Sequence, residues 1–489
     1  MNRSTFPKTL MAAACAAVIL SACGGGGSSG TATTPAAASP PPAVSGQASV
    51  AGTVTGFGSV FVDGKRIDNR SVAAGRELED GSIRPVELKL GQHVEIEHDG
   101  NLVASRVRVE SEVEGAVTAV NAAAGTLVVV NQIVTVNADA TLGPVTVFDA
   151  PYTKLADIKV ADNVEVHALL RTDAAGKVTL QATRIEPRLA ENFDRVHGLV
   201  ADLAPTARTF KLGNLVIDYS DAKLQPAGLV LTNGTEVRVA LAAGTVKDGA
   251  AVKALVVKAR DRKGESQAKE AELGGVVSAF DAAAKTMTIN GVKVDFSSAS
   301  FNQSGRGLAD LKAGVYVVVK GTYNTSSTLK AATIVIRGVD QDRGNEVELH
   351  GTIANFKSAA DFTVRGVPVN ATGAIIDLSC GANAKLANDL QVSVKGSLSA
   401  SGQVTITAVK CEKPEEGVTT IEREGVAGTI NLAAKQFKLT TTSEIATVQY
   451  GSATTFVDVT AETLDGKRVR VEGTLKAGIL QAEKVKLRK

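Results

Sequence analysis

Five histidines and a scatter of carboxylates are the residues whose types could do acid–base or metal chemistry, and their spacing argues against both. His93, His98, His167, His197 and His350 are all the histidines of the 489-residue chain. None stands in a His-Glu-x-x-His pattern, so the zinc-hydrolase signature is absent. His197 and His350 precede equivalent glycines, Gly198 and Gly351, where other copies of the same phrase carry Ala51, Glu114 and Ala427. A strand residue facing solvent or a neighbour tolerates that exchange better than a ligand or a base does. Glu95, Glu97 and Asp99 share one strand face, with His98 on the other; such a row can bind calcium, but it reads first as the solvated face of a hairpin. Asp340-Gln341-Asp342-Arg343-Gly344-Asn345-Glu346 resembles a calcium loop, yet Gly344 replaces the third oxygen ligand and the closing Glu is misplaced. No Gly-x-Ser-x-Gly elbow, P-loop or dinucleotide fingerprint is present, and Gly56-Phe57-Gly58 is followed by a strand rather than a helix. The expectation is no catalytic residue, no metal and no cofactor.

The composition narrows the partners. The chain balances 53 basic against 51 acidic side chains, which gives no surplus for a nucleic acid. Aromatics are 4% and Trp is absent, so rings for stacking sugars or bases are scarce. Basic clusters occur at Lys258, Arg260, Arg262 and Lys263, at Lys467, Arg468 and Arg470, and at Lys484, Lys486, Arg488 and Lys489. Acidic residues are interspersed among them, which suggests solvated strand faces before a contact for anionic glycan or lipid.

The elements that would position these groups come from a repeat. A first-strand glycine recurs at positions 52, 115, 198, 275, 351 and 428, at intervals of 63, 83, 77, 76 and 77 residues. Each copy continues with a second strand and a tight turn, such as Asp63-Gly64, Asn290-Gly291 or Arg365-Gly366, and then a third strand. The sixth copy has the longer Thr440-Thr441-Thr442-Ser443-Glu444 instead. A connector rich in Leu and Ala leads to a second phrase, Leu311-Lys312-Ala313-Gly314-Val315-Tyr316-Val317-Val318-Val319-Lys320-Gly321, which alternates like a strand. A fifth strand ends the copy. Five strands with so short a connector suggest a small closed barrel, which removes open edges and resembles the oligonucleotide/oligosaccharide-binding (OB) barrel; a five-strand open sandwich is the alternative. The predicted fold is all-β, six such barrels in tandem at 48–110, 111–187, 193–261, 270–339, 346–411 and 423–489, strung as an array in which neighbours touch.

Gly-x-Val-x-x-Phe on the first strand and Leu-x-x-Gly-x-x-Val-x-Val-x-Gly on the fourth resemble the bacterial repeat module catalogued as domain of unknown function 5666. The resemblance runs over roughly residues 48 to 489 and is weakest in the third copy, where Leu203 stands in place of Phe57, Phe280 or Phe356. It implies exported tandem-repeat proteins and brings no catalytic residues.

The N-terminus resembles a bacterial lipoprotein signal over residues 1–22: Arg3 and Lys8, an apolar run from Leu10 to Leu20 too short to span a bilayer, then Leu20-Ser21-Ala22-Cys23. The resemblance implies acyl chains such as palmitate on Cys23, which becomes the new N-terminus and ties the protein to a membrane. Gly24 rather than Asp after Cys23 favours the outer membrane, on its periplasmic side or at the cell surface. Residues 23–47 are a tether rich in Gly, Ser, Thr, Ala and Pro. With Cys15 removed and Cys23 lipidated, Cys380 and Cys411 remain as a pair in an oxidising compartment, and a disulfide between them is expected.

These features suggest a non-catalytic envelope scaffold or multivalent binding array whose partner is an envelope protein or glycan, with no nucleic acid. The alternative is a carbohydrate or polyanion binder, which needs Phe57, Phe280 and Phe356 exposed at barrel mouths. An enzyme would need a pocket joining residues distant in sequence.

Overall fold

Tight turns with left-handed backbone set the strand plan. Asp63 and Gly64 have φ of 49° and 83°, Asn290 and Gly291 44° and 82°, and Arg365 and Gly366 50° and 77°. Two consecutive residues of positive φ make the hairpin turn whose twist matches that of the strands it joins. The computed structural model describes residues 48–488 apart from 173–176, 189–191, 248, 261–269, 302–305, 325–327, 338–344, 382–383, 414–419, 442–444 and 477. Cys23, the signal and the tether lie outside the described residues, as do Arg262, Lys263, Lys489 and most of the Asp340–Glu346 loop. Among the described residues there is no α-helix, only strands and four short 3-10 turns.

Residues 270–337 illustrate the unit. Glu270–Asp281 pairs antiparallel with Thr286–Ile289, which pairs with Val292–Asp295. Glu270–Asp281 also pairs with Tyr316–Tyr323, which pairs with Leu329–Ile336. Val292–Asp295 closes the circuit by running parallel to Leu329–Ile336, with Val294 opposite Leu329. The order around the circuit is 1-2-3-5-4, a closed five-stranded barrel of the OB-like kind. The same circuit closes within 111–187, 346–411 and 423–489. Two segments depart from it. In 48–110 the closing contact is one parallel bridge, Asp68 to Val103. In 193–261 the first strand breaks at Val200 into Phe193–Leu199 and Ala201–Ala204, beside the aberrant Leu203.

The expectation of a string of barrels touching only along the chain is corrected by the strand pairings. Ala48–Phe57 runs parallel to Glu270–Asp281 over Ala48–Ala51 and then to Glu346–Ser358 at Gly56 and Phe57. The first segment therefore joins sheets with the fourth and fifth. Phe193–Leu199 pairs with Val113–Asn121 at Arg195 opposite Glu114. The cores merge as well. Val113, Leu127 and Ile185 share one apolar cluster with Phe210, Val237 and Val257, and Val50, Ile67 and Val107 share another with Leu349, Phe362 and Val409. A barrel of this size buries a small core, and fusing two cores enlarges the apolar interior available to each.

The sixth first-strand glycine is Gly425, not Gly428. In every other copy the residue two places after the glycine exchanges backbone hydrogen bonds with the fourth-strand turn, as Val54 does with Gly91 and Gln92, and Val277 with Gly314 and Val315. In the sixth copy that residue is Ala427, bonded to Gly466 and Lys467. A Cβ on Gly425 would stand 2.3 Å from the carbonyl oxygen of Thr440, whereas one on Gly428 would meet nothing closer than 3.9 Å. Both phrases contain a glycine three residues apart, and only the hydrogen-bond register separates them.

Candidate functional site

Because the barrels share edges, strand faces that alternation assigns to solvent lie at junctions between segments. The hairpin face around Glu95, Glu97 and His98 is one correction: Glu97 and His98 are buried, and Glu95 pairs with Arg260 of the third segment at 2.9 Å. Asp99 alone of that row is solvated and caps the turn through Asn101 N and Val103 N. The basic clusters are a second correction. Arg470 meets Glu422 at 3.2 Å, Lys484 meets Glu472 at 2.7 Å, and Lys258 meets Glu77 of the first segment. Lys467 and Arg468 do face solvent. Phe57, Phe280 and Phe356 are half-buried and pack on the cores, with Phe280 stacked on Phe296 and Phe356 tilted against Phe362. They are therefore poor anchors for a sugar. Cys380 and Cys411 are joined by a disulfide with Cα atoms 5.7 Å apart.

Charged side chains gather at three junctions between segments. At the first, Glu114 accepts Arg76 of the first segment at 3.5 Å, Arg188 at 3.0 Å, and Arg195 of the third segment. Arg195 also holds Glu79 at 2.5 Å. Burial would raise the Glu114 pKa, but the three guanidinium groups outweigh it and lower it to about 2. Beside it, His167 is fully buried with Nε2 3.2 Å from Glu165 and 3.4 Å from Glu186. Its Nδ1 donates to the carbonyl oxygen of Glu110 at 2.6 Å. Burial alone would strip its proton, yet the hydrogen bonds to the two carboxylates dominate and its pKa rises to about 9.

Glu165, His167 and Glu186 have ligand atoms within 4.8 Å of one another, a spacing that can hold a metal. Arg76 pairs with Glu165, and Arg184 with Glu186 at 3.1 Å; these cations already neutralise the carboxylates, and the arrangement is an ion-pair junction. At the second junction His197 lies between Glu112 at 3.4 Å and Glu236 at 2.9 Å, and its pKa likewise rises to about 9 against burial. His350 meets Glu348 at 2.8 Å and Glu412 at 3.2 Å and stacks on Phe61 of the first segment.

The third junction encloses a cavity of about 450 Å³ walled by residues of 48–110, 111–187, 346–411 and 423–489. Phe57, Val86, Phe148, Tyr152 and Pro368 supply apolar wall. Arg70 and Lys89 enter from the first segment, Arg184 from the second and Arg365 from the fifth, with Arg470, Lys484, Lys486 and Arg488 from the sixth. The carboxylates on the same wall are Glu87, Asp149, Glu472 and Glu483. Lys484 and Lys486 both hold Glu87, at 3.2 and 2.9 Å, whose pKa falls to about 2 as the two ammonium groups overcome its burial. The sequence hides this cavity, because its walls come from four segments and no single motif marks it.

The family model for the domain of unknown function DUF5666 matches residues 114–186, 274–335 and 350–411. No curated protein matches the chain. The solved structure "drosophila Unr CSD456" is 13% identical over 45% of this chain and 97% of that chain, with a TM-score of 0.12, too low to bear on fold or function. Each matched segment is a closed barrel whose first strand carries the recurring glycine, Gly115, Gly275 or Gly351, and the chain thus holds three repeats similar to the DUF5666 domain.

Proposed function

We propose that this is a non-catalytic scaffold of the cell envelope, carried on acyl chains at Cys23 in the outer membrane, in which six barrels act as one rigid body. The observation that carries the non-catalytic reading concerns the histidines. His167, His197 and His350, the residues most able to act as acid or base, each lie between two carboxylates at a contact with another segment. An imidazolium pinned by two carboxylates holds its proton rather than exchanging it with a substrate. Rigid spacing between a membrane tether and an envelope protein or glycan is work that such a body can do without chemistry.

The reading is tested by labelling cells with a palmitate analogue and crosslinking the protein in place. Label on the wild type and none on Cys23→Ser, with bulk envelope protein or glycan as the crosslinked material, is the expected outcome. Label retained by Cys23→Ser, or turnover of a recovered small molecule by the purified protein, would overturn it.

A further inference from the structure

We infer that the cavity where the first, second, fifth and sixth segments meet is a binding site for a small organic anion carrying two or more phosphate or sulfate groups. This goes beyond the scaffold role, which needs no ligand.

The wall charge is the first argument. Eight Lys and Arg side chains line the cavity against four carboxylates. The balancing carboxylates of several cations stand behind the wall: Arg70 pairs with Asp68 at 2.6 Å, Arg470 with Glu422, and Arg488 with Glu424 at 3.2 Å. None of those three carboxylates lines the cavity. Within the wall, Arg365, Lys484 and Lys486 share only Glu87 and Glu472. Lys89 and Arg184 share Asp149 in the wall and Glu186 behind it; opposite charges layered in this way set the cations nearer the cavity than part of their carboxylates, and low-dielectric walls strengthen the field of the nearer charge. Burial raises the pKa of Glu483, a further wall carboxylate.

Access and size are the second argument. The side chains of Arg70, Lys486 and Arg488 are 31%, 31% and 33% exposed, so the wall is open to solvent at these cations. A volume of about 450 Å³ falls in the range of small-molecule sites. Guanidinium groups present paired donors that match phosphate and sulfate oxygens. The apolar wall from Val86, Phe148, Tyr152 and Pro368 would cover a carbon skeleton. A single inorganic ion would fill little of the space.

Calorimetry of the full mature chain with inositol hexakisphosphate, and with uncharged myo-inositol as control, tests the proposal. Binding of the first and not the second is expected. The double variant Lys486→Gln/Arg488→Gln should weaken it about tenfold, the loss expected when charge-assisted hydrogen bonds are removed. Arg468→Gln, which removes an exposed charge outside the cavity, should leave it unchanged. If the double variant fails to fold, Arg70→Gln alone should weaken binding about threefold. Absence of binding at about 1 mM ligand, equal binding by wild type and cavity variants, or capture only by anionic phospholipid vesicles would each overturn the proposal.

Discussion

Tyr316 donates a hydrogen bond of 2.6 Å to Asp63, 253 residues away in sequence, and the contact ties the first segment to the fourth. Asp63 is the turn residue of the first hairpin, with φ of 49°. Its carboxylate occupies a slot beneath two strands: a Cβ on Gly52 would lie 2.0 Å from Asp63 Oδ2, and one on Gly274 1.9 Å. Gly52, and Gly274 next to the recurring Gly275, thus leave room for the Asp63 carboxylate. Arg337 Nη2 completes the contact by donating to the Asp63 backbone oxygen at 3.1 Å.

Removing the phenol should cost stability in a pH-dependent way. Tyr316→Phe leaves a buried carboxylate short of a donor, and a loss of about 1–3 kcal/mol is expected in urea melts at neutral pH. Burial raises the Asp63 pKa from 3.8 to about 6 despite the Tyr316 bond. The folded state therefore binds this proton more tightly than the unfolded one, and the contribution of Asp63 to stability improves as pH falls from 6 toward 3.8. Asp63→Asn should abolish that portion of the pH dependence; an unchanged profile between pH 4 and 6 would contradict the assignment.

The buried histidines predict the alkaline limb. His167 and His197 have pKa values raised to about 9 from 6.5, so their stabilisation is complete below 6.5 and is lost as pH rises through 9. Melting temperature measured from pH 7 to 10 should fall in the wild type and fall less steeply in His167→Gln, which starts lower. On the acid side, Glu110 and Glu114, both lowered to about 2 by neighbouring arginines against burial, contribute above 4.5 and lose that contribution as pH drops toward 2.

The register of the sixth segment gives a paired test. Gly425→Ala forces a methyl group against the Thr440 carbonyl and should cost more than about 2 kcal/mol. Gly428→Ala meets only an ordinary contact, Asp465 Oδ1 at 3.9 Å, and should stay within about 0.5 kcal/mol. Denaturant midpoints of the two variants decide between the registers.

Reducing Cys380–Cys411, which closes a separation of 31 residues, should lower stability by about 3–4 kcal/mol on the loop-entropy account. Unfolding with and without reductant, followed by hydrogen exchange within 346–411, checks the figure.

The barrel was legible because its grammar is local. Alternating Val residues, Asn-Gly and Asp-Gly turns and the Leu-x-x-Gly phrase each report a few adjacent residues, and together they dictate a strand order. The junctions were not legible because they are non-local. Glu95, Glu97, Arg260 and Arg470 look solvent-facing when alternation assigns a single buried face per strand, yet the opposite face packs on another barrel. A faint signal existed in the pairing of opposite charges at similar strand positions, Glu114 in one copy and Arg195 in the next, which the structure places in register. Gly425 was missed for the same reason, since residues 425 and 428 both sit in a glycine-bearing phrase and only pairing tells them apart.

Glu114→Gln tests the central claim that the barrels form one body cemented by buried charge. It leaves Arg76, Arg188 and Arg195 facing a lost carboxylate, and breaking a buried ionic junction costs about 3–5 kcal/mol. Hydrogen exchange read strand by strand is the decisive measurement. The account predicts that protection falls together in Ala74–Glu77, Val113–Asn121 and Phe193–Leu199, strands of three different segments. Protection lost only within 111–187, with the first and third segments unaffected, would show independent barrels and contradict it.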